Sequence, residues 1–186
     1  MCGINGIISK SKNLEAINDS LIKMNQLIFH RGPDEDGFCL EKHENTSVGM
    51  AMRRLSIIDL STGKQPIYSD DTNIVIVFNG EIYNYQTLKK QLENEGITFK
   101  TKSDTEVILK LYETKGENSF SLLDGMFAFS IYDRNRNKVF ITRDFFGEKP
   151  LYYHKTETEF HWGSELKSVI SNLNYKPEIS KTGLNL

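Results

Sequence analysis

Ile74-Val75-Ile76-Val77-Phe78-Asn79-Gly80-Glu81-Ile82-Tyr83-Asn84 (IVIVFNGEIYN) decides how the chain is layered. An apolar, strongly β-branched run predicts a buried strand over 74–78. Asn79-Gly80 directly after a strand is the usual signature of a tight hairpin turn. No returning strand follows. Asn84 instead suits a helix N-cap, with Leu88 and Leu92 on one face and Gly96 as the stop. A strand that leads into a helix, not into its own hairpin partner, suits a fold in which helices cover a sheet.

The flanks extend this pattern. Residues 3–9, rich in Ile, read as a short strand. Leu14, Ile17, Leu21, Met24, Leu27 and Ile28 recur at three- and four-residue spacings, an amphipathic helix over 14–28. HRGPDEDG (30–37) reads as a turn-rich loop, because Gly32-Pro33 cannot continue a helix. Short strands are expected over 47–59. Ser103-Asp104-Thr105-Glu106 fits the S-x-x-E capping box, opening a helix with Val107, Ile108 and Leu111 that stops near Gly116. From 125 the pattern is hairpins: MFAFSIYD and KVFITRD flank RNRN, then PLYYHK and EFHWGS flank TETE. A last helix starts near Ser164. The order predicts an α+β layered fold with mainly antiparallel sheets.

Composition narrows the function. The 186 residues, 38% hydrophobic and 26% charged, suit a globular domain with a proper core. A net charge of −2 gives no reason to expect nucleic acid or an anionic membrane surface. No apolar run approaches the ~18 residues that span a bilayer, and no signal peptide is visible. Two cysteines, Cys2 and Cys39, are too few for a disulfide scaffold, so reduced thiols and a cytoplasmic location are expected. His30, His43, His154 and His161 show no HxxxH spacing and neither cysteine belongs to a CxxC pair, so no metal is expected.

Four places could carry chemistry. A free thiol with a pKa of about 8.5 is mostly protonated at neutral pH, and a cysteine nucleophile needs a base. Removal of Met1 would give Cys2 its own, an α-amine with a pKa of about 7.7–8.0. Read alone, Cys2 reads first as a packed or frayed terminal thiol; Cys39, between Phe38 and Leu40, reads as packing. The Asn79 amide beside the Gly80 N–H is either a turn or a pair of neutral donors for an oxyanion. Arg54 in an apolar strand is either a snorkelling side chain or a carboxylate clamp. Asp104, in the first turn of a helix, needs no reason beyond the helix dipole.

MCGINGII, HRGPDEDG, RRLSIIDLSTGKQP, FNGEIYN, TKSDTEVIL, LDGMFAFSIYD, RDFFGEKPLYY and WGSELK occur in this order. Together they closely resemble the glutaminase domain of the asparagine synthetase family, class II glutamine amidotransferases. The likeness covers residues 2–170. It implies a four-layer α/β/β/α sandwich of two antiparallel sheets, the N-terminal-nucleophile hydrolase fold. It implies hydrolysis of L-glutamine to glutamate and ammonia through a γ-glutamyl thioester on Cys2, with the freed α-amine as base. The Asn79 side chain and Gly80 N–H would form the oxyanion hole. Arg54 would bind the substrate α-carboxylate, helped by backbone groups of Leu55, Ser56, Ile57 and Ile58. Asp104 would hold the α-ammonium, with Glu81 close by. Arg31 looks like a support for the pocket, while RDFFGEKPLYY and SELK look structural or suited to packing on a partner domain.

The resemblance also sets expectations about partners. Residues 1–175 would be the glutaminase domain and 176–186 the start of a linker. The linker would lead to an ATP-pyrophosphatase synthetase domain or subunit that uses ATP and Mg, absent here because no S-G-G-x-D loop occurs. Aspartate is the default acceptor. Rival readings are an amidotransferase serving cell-surface sugar biosynthesis, a non-catalytic glutamine-binding domain, and a different N-terminal-nucleophile amidohydrolase. A homodimer is left open.

Overall fold

Why an unbroken apolar strand is needed becomes clear from the layers around it. The computed structural model describes residues 2–55 and 63–184. Strands β1 (Gly3–Ser9), β2 (Glu35–His43), β3 (Thr46–Arg54), β8 (Tyr152–Lys155) and β9 (Glu159–Gly163) form one sheet in the order β2-β3-β1-β9-β8. Strands β4 (Ile67–Tyr68), β5 (Ile74–Ile82), β6 (Gly125–Asp133) and β7 (Lys138–Arg143) form a second in the order β4-β5-β6-β7. Every strand pairing is antiparallel. Helix α1 (Leu14–Leu27) covers the first sheet; α2 (Tyr85–Asn94) and α3 (Asp104–Lys115) cover the second. The result is an α/β/β/α sandwich. Helix α4 (Leu166–Ile170) packs beside α1.

Side chains on a strand alternate between its faces, so each strand serves two interfaces. In β5, Ile74, Ile76, Phe78 and Ile82 pack with Leu88, Leu92, Val107 and Leu111 of the helices, while Val75 and Val77 meet the other sheet. In β1, Ile4 faces the second sheet and Ile7 packs on Ile17, Leu21 and Met24 of α1. Each such fully buried aliphatic side chain contributes about 1.5–3 kcal/mol. Trp162 fills the space between sheets over Gly6, where an added Cβ would lie 1.9 Å from the indole.

Four local expectations are corrected. Asn79-Gly80 is not a turn: β5 runs on through it to Ile82, because β6 pairs with all of 74–82. HRGPDEDG is only partly loop. Glu35–Gly37 already belong to β2, an edge strand that pairs with β3 from Glu35 to His43 and was absent from the sequence reading. Asn84 starts α2 without capping it, because its side chain is taken by Leu122 O and Asp124 N. Ser103 caps α3 through Thr105 N, but Glu106 does not close a capping box; it accepts from Lys100 N, Thr101 N and the Thr101 hydroxyl. The expected strand over 47–59 ends at Arg54, and its continuation through Ile58 lies outside the described residues.

Candidate active site

The alternation that builds the sandwich also builds the site. Cys2 precedes β1 on the same parity as Ile4, and Asn79 follows Val75 and Val77 in β5. Both residues therefore turn toward the interlayer, at one open end of it. There they line a single cavity with Arg54, Leu55, Gln65, Gly80, Glu81, Ser103, Asp104, Met126 and Lys149.

Cys2 Sγ lies against the Leu55 backbone, 3.4 Å from its N–H and 3.6 Å from its carbonyl oxygen. Asn79 is 1% exposed, and its Nδ2 has no hydrogen-bond partner among the described residues. A buried donor left unpaired is costly, and such exceptions mark functional positions. Gly80 must lack a side chain: a Cβ would sit 2.2 Å from Met126 O and 2.7 Å from Phe127 Cα. The N–H groups of Phe78 and Ile82 leave the sheet for the Gln65 carbonyl and the Asp104 carboxylate. Period-two alternation sends the Gly80 N–H to the same edge, between those partners and into the cavity.

The two charged ends are also held. Arg54 closes β3, is 3% exposed, and donates to Glu35 Oε2 at 2.8 Å; Glu35 is a fixing residue the sequence reading did not include. Asp104 opens α3, where the dipole favours a carboxylate. Burial nevertheless pushes its pKa up to about 6, with Glu81 adding repulsion and the Ile82 and Thr105 N–H groups opposing the rise. Glu81 lines the cavity beside it. Ser56, Ile57 and Ile58, expected to help bind the substrate carboxylate, lie outside the described residues.

Gln65 was hidden inside RRLSIIDLSTGKQP and stands out only in three dimensions. Its carbonyl takes Phe78 N–H at 2.6 Å and its amide reaches the Thr105 hydroxyl at 3.5 Å, tying the Asn79 strand to the Asp104 helix. Cys39 is buried, and burial pushes its thiol up to about 11, the behaviour of a packing cysteine. Among the described residues no group of three or more His, Cys, Asp or Glu is placed to hold a metal ion, and no helix is long and apolar enough to cross a membrane.

This architecture is shared with two solved structures. It is similar to Bacillus subtilis glutamine phosphoribosylpyrophosphate amidotransferase (TM-score 0.68, 24% identity, 90% of this chain and 42% of that one). It is also similar to a structure of the allosteric regulatory enzyme of purine biosynthesis (TM-score 0.71, 23% identity, 90% and 42%). The chain belongs to the glutamine amidotransferase domain family, which it matches over residues 1–186. Among curated relatives, asparagine synthetase [glutamine-hydrolyzing] 1 of Bacillus subtilis (strain 168) is 46% identical over 186 residues, 99% of this chain and 29% of the relative. Asparagine synthetase [glutamine-hydrolyzing] 2 of the same organism is 43% identical over 193 residues, 100% and 25%. Asparagine synthetase [glutamine-hydrolyzing] 1 of Lotus japonicus is 38% identical over 152 residues, 82% and 25%. The chain thus spans well under half the length of these relatives.

Proposed function

We propose that the chain hydrolyses L-glutamine at Cys2 and supplies the ammonia to an ATP-dependent amidation. The observation that carries this reading is the buried Asn79 amide, without a partner among the described residues, lining the cavity that holds the Cys2 thiol. Glutamine is a zwitterion with an amide at its far end. A selective site needs a cation, an anion, a nucleophile and oxyanion donors, and Arg54, Asp104, Cys2 and Asn79-Gly80 supply the set.

In this mechanism loss of Met1 frees the Cys2 α-amine, which takes the Sγ proton. The thiolate attacks the side-chain amide carbon, and the oxyanion is held by Asn79 Nδ2 and the Gly80 N–H. The protonated amine returns its proton to the amide nitrogen, the C–N bond breaks, and ammonia leaves a γ-glutamyl thioester. Water, deprotonated by the same amine, attacks the thioester carbon, the C–S bond breaks, the amine returns its proton to Sγ, and glutamate departs. Arg54 binds the α-carboxylate beside the Leu55 backbone, and Asp104, with Glu81 near it, binds the α-ammonium.

The acceptor would be aspartate, as the names of the relatives suggest, and the receiving module would lie in the part of those relatives this chain does not span. ATP and Mg would belong to that receiving module; the sequence here has no S-G-G-x-D loop, and no step of the glutaminase reaction runs through them. A docking face for that module is available: Phe145 and Phe146 are 95% and 84% exposed on a turn braced by Asp144 and Arg143, close in sequence to Lys149 of the cavity wall. Reduced thiols favour the cytoplasm as the compartment.

The test is glutamate release from glutamine by the purified chain, with Cys2→Ala as control. Turnover by the parent and none by the variant is expected. Equal turnover by both would remove Cys2 from the reaction, and glutamine binding without turnover by the parent would leave a binding module.

A further inference from the structure

WGSELK (162–167) is the motif the reaction above leaves unused, yet the structure wraps it around the nucleophile's strand. The Ser164 hydroxyl accepts the Ile4 N–H at 2.9 Å, and Ser164 N–H donates to Ile4 O at 2.9 Å. Glu165 then gathers three cations or donors. His30 Nε2 lies 2.7 Å and Arg31 Nη1 3.3 Å from its Oε1, and Lys167 Nζ lies 3.0 Å from its Oε2. Arg31 Nε in turn donates to the Cys2 carbonyl at 2.9 Å. The Arg31 stem runs so close under the chain that a Cβ on Gly3 would lie 3.1 Å from Arg31 Cδ.

Cys2 stands outside the β1 ladder, which begins at Gly3. A residue at a chain end has no preceding peptide to fix it, so its thiol and amine swing together about the bond to its own carbonyl. Holding that carbonyl holds both reactive groups. We propose that Glu165 is a positioning residue for the nucleophile: it fixes the Arg31 guanidinium, and Arg31 fixes the Cys2 carbonyl so that Sγ and the α-amine face the amide. The inference rests on the glutaminase reading above. Displacing a reacting atom by about 1 Å can cost about 10²-fold in rate, so losing the outer member of this relay should slow chemistry about tenfold or more. Glutamine binding should change little, since Arg54 and Asp104 lie outside the relay.

The test is covalent labelling of Cys2 by a diazo ketone analogue of glutamine, resolved into a binding constant and a maximal inactivation rate. In Glu165→Ala the maximal rate should fall about tenfold or more with the binding constant within twofold, and Glu165→Gln, which keeps an acceptor, should recover part of it. Arg31→Ala should match or exceed the loss, and Arg31→Ala/Glu165→Ala should be no slower than Arg31→Ala alone. Buried Cys39 reports folding: it should stay unlabelled by iodoacetamide in every variant compared. An unchanged maximal rate in folded Glu165→Ala, or losses that multiply in the double variant, would overturn the positioning role. A parent protein that is not labelled at all would instead overturn the glutaminase reading, a distinguishable result.

Discussion

At the scale of single residues, the site depends on groups kept in costly states. Asn79 holds a buried amide with no partner among the described residues, and Asp104 holds a carboxylate where burial disfavours its charge. Asn79→Ala should lower glutamine turnover by about 10²-fold with a small change in KM, as removal of one oxyanion donor does. Asp104 has a double consequence. Its pKa is raised from an ordinary 3.8 to about 6, so the folded state binds the proton more tightly and its stability falls as pH rises through that window. Asp104→Asn should therefore melt a few degrees above the parent at pH 7 while losing affinity for glutamine. The pH profile of activity runs the opposite way. With a base near 7.7–8.0 needed unprotonated, kcat/KM should fall about tenfold per pH unit below it. Below about 6 it should fall about a hundredfold per unit, and Asp104→Asn should keep the shallower slope throughout.

At the scale of elements, the strands do two jobs, each face building a layer while the end of each strand presents chemistry. β1 shows how tightly this is packed, since Gly6 leaves no room for a Cβ under Trp162. Gly6→Ala should destabilise the fold by about 1–3 kcal/mol or more, lowering Tm by roughly 2–4 °C per kcal/mol. Trp162 fluorescence would follow the transition. β1, β6 and β7 were plain in the sequence as apolar, β-branched or aromatic runs that pack on both faces, and α1 as a three- and four-residue apolar repeat. β2 was not legible: its residues, EDGFCLEKH, carry charges at an exposed edge and follow a Gly-Pro turn. The extension of β5 through Asn79-Gly80 was hidden because local turn chemistry points one way and pairing with β6 over the whole of 74–82 the other. Of the cavity lining, Cys2, Arg54, Leu55, Asn79, Gly80, Glu81 and Asp104 could be named from motifs. Gln65 of the lining and Glu35, which holds Arg54 from outside it, could not, since each acts only through a neighbour that tertiary structure supplies.

At the scale of the whole molecule, the two sheets and α3 bring residues 2, 54, 79 and 104 to one cavity, so the proposed site draws on four distant points in the chain. The chain by itself should release glutamate and ammonia in equal amounts, without ATP. EDTA should leave the rate unchanged, because thiol, amine and amide donors between them account for every proton and charge in the proposed step. Loss of activity on chelation would show a missing participant.

The claim on which the rest depends is that Cys2, freed of Met1, becomes acylated by glutamine. Acid quenching during steady-state turnover, followed by mass spectrometry of the N-terminal peptide, measures both parts at once. The expected peptide begins at Cys2 and a fraction of it carries a γ-glutamyl group on sulfur, which disappears when glutamine is exhausted. Steady glutamate production from a protein whose N-terminal peptide still begins at Met1, or never carries the glutamyl group in Asn79→Ala or parent, would contradict it.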